Sequence, residues 1–254
     1  MTDDGSNLAR LRRGEAVFGV LQTIPNPTLT ELAIWSGFDF VTLDCEHGAV
    51  DEQAHLASLQ IIERSDVFAL VRVRPGDLGA VGRYLDFGAD GILMPELRNA
   101  AEAAAFVAAS KHAPAGSRSS AGPAVRAARY GIASRAEREP PLLLGIIETA
   151  DAVVDIGEIT ATPALDGLII GPFDLSASLG CANDFSAPAY QTAFARIEQA
   201  AARGSLLVGS VPHPGFPVAR LIDAGHRLIL GGVDVLALRD GFCAQLAAAR
   251  DRKS

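Results

Sequence analysis

The residues able to do chemistry stand at the ends of apolar runs. Phe40-Val41-Thr42-Leu43 leads into Asp44-Cys45-Glu46-His47-Gly48. Leu142–Ile147 leads into Glu148, and Leu165–Ile170 leads into Gly171-Pro172-Phe173-Asp174. An apolar run that ends in ionisable groups reads as a buried strand delivering them to its C-terminal end, where ligands bind in parallel α/β proteins. His47 has Glu46 beside it and Asp44 three residues back. A carboxylate that accepts from one ring nitrogen fixes the tautomer and makes the other nitrogen a better base. His47 is therefore a candidate base with Asp44 as its orienting partner. Glu148 and Asp174 must be solvated, paired or bound to a cation, because burying a bare charge is too costly. Two carboxylates plus waters suit Mg²⁺ or Mn²⁺, and a metal-free acid/base pair is the alternative. Arg72, inside an apolar strand, is either a rim residue paired to an acid or a cation for a developing oxyanion. Arg74 points the same way along a strand, and the sequence does not choose between them.

Other routes to catalysis find less support. Acidic neighbours raise the pKa of a thiol, which argues against Cys45 as a nucleophile. No Gly-x-Ser-x-Gly elbow is present. The two lysines, Lys111 and Lys253, do not end strands, which excludes a Schiff base. His55 lies in a helical pattern and reads as a surface residue; His112, His213 and His226 lie in loops without an acidic neighbour in sequence. Gly231-Gly232 reads as a tight turn.

The elements that must position these groups alternate along the chain. Strands are expected at 16–21, 38–43, 68–73, 91–95, 142–147, 165–170, 206–210 and 227–230. Helices are expected at 6–14, after the Thr28-Leu29-Thr30-Glu31 capping-box spacing, and at 51–63, 78–87, 99–110, 150–159, 188–202, 218–224 and 235–250. Residues 112–141 and 175–186 read as loops. Eight strands alternating with helices predict a (β/α)₈ TIM barrel with extra terminal helices, with 1–254 as a single domain. A doubly wound sheet fits less well, since no GxGxxG follows the first strand.

Of the 254 residues, 49% are hydrophobic and 20% charged, enough apolar side chain for a large core. A net charge of −8 disfavours nucleic acid as a partner. Three scattered cysteines suit a reducing compartment. Met1–Gly5 lacks a signal-peptide pattern, and no apolar run approaches membrane-spanning length. A cytoplasmic protein with no membrane partner is expected.

Taken together, Gly37-Phe38-Asp39-Phe40-Val41, Asp44-Cys45-Glu46-His47-Gly48, Leu70-Val71-Arg72-Val73, Leu85-Asp86-Phe87-Gly88, Ile147-Glu148-Thr149 and Gly171-Pro172-Phe173-Asp174-Leu175-Ser176 resemble the HpcH/HpaI aldolase family. The resemblance runs from about residue 15 to residue 245. It implies a metal-dependent class II pyruvate aldolase on a (β/α)₈ barrel. By resemblance, Glu148 and Asp174 bind a divalent ion (Mg²⁺, Mn²⁺ or Co²⁺), with Glu46 placed to act through water. His47 is the proton acceptor held by Asp44, Arg72 stabilises the transition state, and Asp86 raises the basicity of the histidine in a neighbouring subunit. The backbone around Phe173 and Asp174 receives the pyruvate carboxylate. The implied partners are an oxo acid and an aldehyde. The implied assembly is a homo-oligomer, a hexamer or trimer, with the last helix exchanged between subunits. Two departures touch the substrate pocket: Ile146 where some members have Gln, and Phe173 where many have Ala. The implied reaction is cleavage of the C3–C4 bond of a 4-hydroxy-2-oxo acid. The alternatives are an acyl-CoA lyase of the citramalyl-CoA or citryl-CoA type, with Arg118, Arg126 and Arg129 as phosphate candidates, and a non-catalytic barrel that binds oxo acids.

Overall fold

The computed structural model describes residues 6–132 and 140–251. Met1–Gly5, Lys253 and part of the expected loop at 112–141 lie outside the described residues. The strands are β1 (Val17–Gln22), β2 (Phe40–Asp44), β3 (Phe68–Arg72), β4 (Gly91–Met94), β5 (Leu142–Ile147), β6 (Gly167–Ile170), β7 (Leu207–Ser210) and β8 (Leu228–Val233). They pair in parallel in sequence order, and β8 closes on β1 to form a barrel. The helices are α1 (Asn7–Arg12), α2 (Pro27–Trp35), α3 (Glu52–Ile62), α4 (Leu78–Phe87), α5 (Ala100–Ser110), α6 (Ala150–Val154), α7 (Ile156–Thr160), α8 (Pro172–Ser178), α9 (Pro188–Arg203), α10 (Val218–Asp223) and α11 (Asp234–Asp251).

Alternation along each strand splits the core in two. Val17, Phe40, Phe68, Leu70, Leu93, Leu142, Leu144, Ile146, Ile169 and Leu228 form one cluster, inside the barrel, and Leu11 of α1 packs against it. Val41, Leu43, Val71, Ile92, Leu143, Ile147, Leu168 and Ile170 belong to the other, between sheet and helices. Inside the barrel, large residues meet glycines. Gly19 pairs with Phe40 across β1 and β2, and a Cβ at Gly19 would lie 2.2 Å from the Phe40 ring. That contact is impossible without moving the ring, so β1 carries glycine where β2 carries its largest inward side chain.

The N-terminal ends of the strands share one device. Asp39, Asp90 and Asp166 each precede an even-numbered strand. They accept the backbone N–H of Phe18, Ala69 and Leu143 at 2.9, 2.8 and 2.8 Å, one residue on each preceding odd-numbered strand. A buried N–H left open at the barrel floor, as at Ala69 or Leu143, is costly, and these carboxylates satisfy it.

Several boundaries differ from expectation. The side chain that caps α2 is Asn26, which accepts from Thr28 N–H at 2.9 Å, with Pro27 in the first turn; Thr28 sits inside the helix. The expected 150–159 helix is two short helices meeting at Asp155. The segment after β6 is not all loop, since Pro172 starts α8. β8 continues through Gly231-Gly232, so those residues extend a strand where a tight turn was expected. Part of the irregular 112–141 stretch forms two 3₁₀ turns, Gly122–Ala124 and Arg126–Gly131.

Candidate active site

The inward positions of β2, β3 and β5 end in charge. Asp44 and Arg72 are register partners on β2 and β3. Arg72 Nε and Nη2 donate to the two Asp44 oxygens at 2.9 and 2.8 Å, and Nη1 lies 3.2 Å from Glu46 Oε2. Burial alone would raise the Asp44 carboxyl. The two bonds from Arg72 and its charge outweigh this and hold it below the usual carboxylate range. Arg72 is correspondingly raised, burial opposing and Asp44 prevailing. Arg74 is exposed, so the structure brings Arg72 and not Arg74 into the cluster.

Glu148 continues the inward parity of Leu144 and Ile146 and is only 7% exposed. Its Oε1 accepts the backbone N–H of Glu96 at 2.7 Å. Its Oε2 lies over Gly171, where a Cβ would approach to 2.6 Å; glycine keeps that space open. Burial, with the negative charges of Glu46 and Asp174 adding to it, pushes the Glu148 carboxyl up to about 7. Glu46 is also raised, by burial first, with Arg72 opposing. Asp174 is exposed in the first turn of α8. That helix has Gly171 at its N-cap and no side-chain cap, which leaves first-turn N–H groups without an intrahelical acceptor.

His47 stands on an exposed turn with its Nε2 3.8 Å from Glu46 Oε2, and its side chain is 67% accessible. Asp44 Oδ1 accepts the backbone N–H groups of Glu46 at 3.0 Å and His47 at 3.4 Å. The Asp44 contact with His47 is thus through the backbone, and its carboxylate oxygens are given to Arg72. The turn ends at Gly48, where a Cβ would lie 2.5 Å from Asp44 O and 2.7 Å from Thr23 O. Asp234 secures that neighbour, accepting from Thr23 N–H, Thr23 Oγ1 and Ile24 N–H at 2.7–3.0 Å.

Ile146 is buried inside the barrel one inward position below Glu148. Phe173 is half exposed and rests edge-on against Phe185, which packs on Tyr190 and His213. Asp86 is not brought to the cluster within this chain. It lies in the last turn of α4, at the N-terminal end of the barrel, paired with Arg118. His55, expected at the surface, is 1% exposed and bonds to Tyr84. His226 pairs with Glu198 at 3.0 Å, a partner too distant in sequence to anticipate. Sequence reasoning also passed over Glu96, whose N–H orients Glu148. It follows the apolar strand β4 as Glu148 follows β5, and that shared pattern was the available signal.

The donor set facing Glu148 is all oxygen. Among the described residues no group of three His, Cys, Asp or Glu side chains stands ready to hold a metal ion. Two carboxylates remain, one of them buried in a field of like charge that a cation would relieve. This suits a hard divalent ion that keeps several waters or substrate oxygens.

Comparison with known proteins agrees with the closed parallel barrel. The family model described as HpcH/HpaI aldolase/citrate lyase matches residues 19–240. A hydroxypyruvate/pyruvate aldolase of Sagittula stellata is 36% identical over 246 residues, covering 94% of this chain and 95% of the relative. A 4-hydroxy-2-oxo-heptane-1,7-dioate aldolase of Salmonella arizonae is 32% identical, covering 94% and 92%. Among solved structures, an HpcH/HpaI aldolase from Desulfitobacterium hafniense DCB-2 superposes with a TM-score of 0.84 at 25% identity, covering 95% of each chain.

Proposed function

The chain belongs to the HpcH/HpaI aldolase/citrate lyase family, and from that premise we propose that it is a carbon–carbon lyase cleaving, or forming, the C3–C4 bond of a 4-hydroxy-2-oxo acid to give pyruvate and an aldehyde. The observation that carries this reading is Glu148, buried at the mouth of the barrel beside Glu46, Asp174 and Arg72. Glu148 and Asp174 would hold a divalent ion, Mg²⁺, Mn²⁺ or Co²⁺, with Glu46 acting through water. Once bound, such an ion polarises the 2-oxo group and offsets the negative charge that builds there on cleavage.

The chain's own residues do the rest. Arg72 is clamped by Asp44 and Glu46 and so shares the developing oxyanion charge without having to reorganise. The exposed ring of His47, its Nε2 3.8 Å from Glu46 Oε2, takes the 4-hydroxyl proton. The open N–H groups at the start of α8 receive the substrate carboxylate. Ile146 and Phe173 line the pocket, an apolar floor and an aromatic wall. Asp86 acts in this reading only across a subunit contact.

The assembly we infer is a homo-oligomer, a hexamer or trimer. Support comes from α11, whose Val235, Leu236, Phe242 and Leu246 are exposed. Residues 1–254 are read as one domain and the protein as cytoplasmic. No helix among the described residues is long and apolar enough to cross a membrane. An acyl-CoA substrate has less support: of the arginines available for its phosphates, Arg118 pairs with Asp86 and Arg126 with Glu63.

The test is substitution. His47→Ala and Glu148→Ala each lose about 10²-fold or more in kcat while keeping the wild-type circular dichroism spectrum. Near-normal turnover in either folded variant would sink the assignment.

A further inference from the structure

Behind the turn that carries the charged cluster lies a second polar group, which the reaction does not use. Cys45 sits between Asp44 and Glu46, on the opposite face of the chain. Its Sγ lies 3.1 Å from the Tyr84 hydroxyl, and that hydroxyl lies 2.8 Å from His55 Nδ1. The three side chains are 4%, 2% and 1% exposed. The thiol donates to the Tyr84 oxygen, and the Tyr84 hydroxyl donates to Nδ1 in the His55 tautomer that carries its proton on Nε2. Each link joins a different element, the exit of β2, α4 and α3.

A core that needed only to fill this volume would use apolar side chains. Buried polar groups are satisfied in one geometry only, so they specify that geometry more narrowly than apolar contacts do. Here the atom specified is the Cys45 side chain. The Cys45 backbone N–H donates to Arg72 O at 2.8 Å, and its two neighbours in sequence hold the Arg72 guanidinium. A rotation at Cys45 would move Asp44 and Glu46 together.

We propose that Cys45, Tyr84 and His55 form a buried positioning set that fixes the Asp44–Glu46 turn and, through it, the direction of the Arg72 guanidinium. The kinetic readout of this proposal rests on the aldolase reading; its spectroscopic readout does not.

The experiment compares Tyr84→Phe, Cys45→Ala and Cys45→Ser with the wild type. It measures kcat and KM for retro-aldol cleavage, and exchange of the Arg72 Nε–H with water by ¹⁵N NMR. Displacing a guanidinium by a fraction of an ångström should lower kcat about 10- to 100-fold in Tyr84→Phe and Cys45→Ala, with KM within about twofold. The Arg72 Nε–H should exchange about tenfold faster in both. Cys45→Ser still donates to Tyr84 and should stay within about threefold of wild type in both readouts. A merely structural role predicts no such rescue: Cys45→Ser would match Cys45→Ala, with kcat falling only as the folded fraction falls. That result overturns the proposal, as do wild-type kcat and wild-type exchange in folded Tyr84→Phe. If Tyr84→Phe does not fold, the two Cys45 variants decide. If the wild type turns over no oxo acid, the aldolase reading fails and Arg72 exchange decides alone, faster upholding the positioning set and unchanged overturning it.

Discussion

At the scale of single residues, the site works by unequal treatment of carboxylates. Asp44 is buried but paired, and is held ionised by Arg72. Glu148 is buried with one backbone N–H and negative neighbours, and is pushed up to about 7 from an ordinary 4.5. The sign of the resulting pH dependence follows. Between about pH 4.5 and 7 the folded, metal-free chain holds a proton on Glu148 that the unfolded chain has released. Stability from this residue is therefore lost as pH rises through that window, up to on the order of 3 kcal/mol, and is flat above it. Denaturant melts in chelator should show wild type losing ground to Glu148→Gln from pH 5 to pH 8. A pH-independent difference would contradict this account of Glu148.

At the scale of elements, the barrel is registered by carboxylates at its floor. Replacing Asp90 with Ala leaves the buried Ala69 N–H without its 2.8 Å acceptor and should cost about 1–3 kcal/mol in chemical denaturation. Turnover per folded molecule should be unchanged, since Asp90 lies at the end of the barrel remote from Glu148. Many elements were legible because their signals are local. α4 spans the expected 78–87, with Asp77 as its N-cap and Gly88, at φ 102°, ending it. The misses have non-local causes. Gly231-Gly232 reads as a turn, yet pairing with β1, with its register shift after Gly19, keeps that backbone extended. Residues 175–178 read as loop because Gly-Pro just before them breaks periodicity, although Pro is also a natural first residue of a helix, here Pro172 of α8. His55 reads as a surface residue because its partners, Cys45 and Tyr84, lie 10 and 29 residues away. Asp44 and Glu148 were visible because each ends an apolar run, and Asp174 because it follows one after Gly171-Pro172-Phe173. That the Asp44 carboxylate holds Arg72 and not the His47 ring depended on side-chain direction, which no spacing encodes.

At the scale of the molecule, one helix stands out of balance. α11 exposes Phe242 at 66% and Leu246 at 51%, a loss unless another surface covers them. Phe242→Asp should shift the assembly toward monomer in analytical ultracentrifugation; an unchanged oligomer, or a wild type that is already monomeric, would remove α11 from any interface. The central claim is that the barrel mouth releases pyruvate with the help of a bound cation. The most direct test measures pyruvate release from a panel of 4-hydroxy-2-oxo acids with Mg²⁺, Mn²⁺ or Co²⁺, and again with chelator. The account predicts pyruvate from at least one acid with metal, abolished by chelation and restored by adding the ion back. No pyruvate from any acid with metal demonstrably bound, or release that chelation leaves untouched, would contradict it.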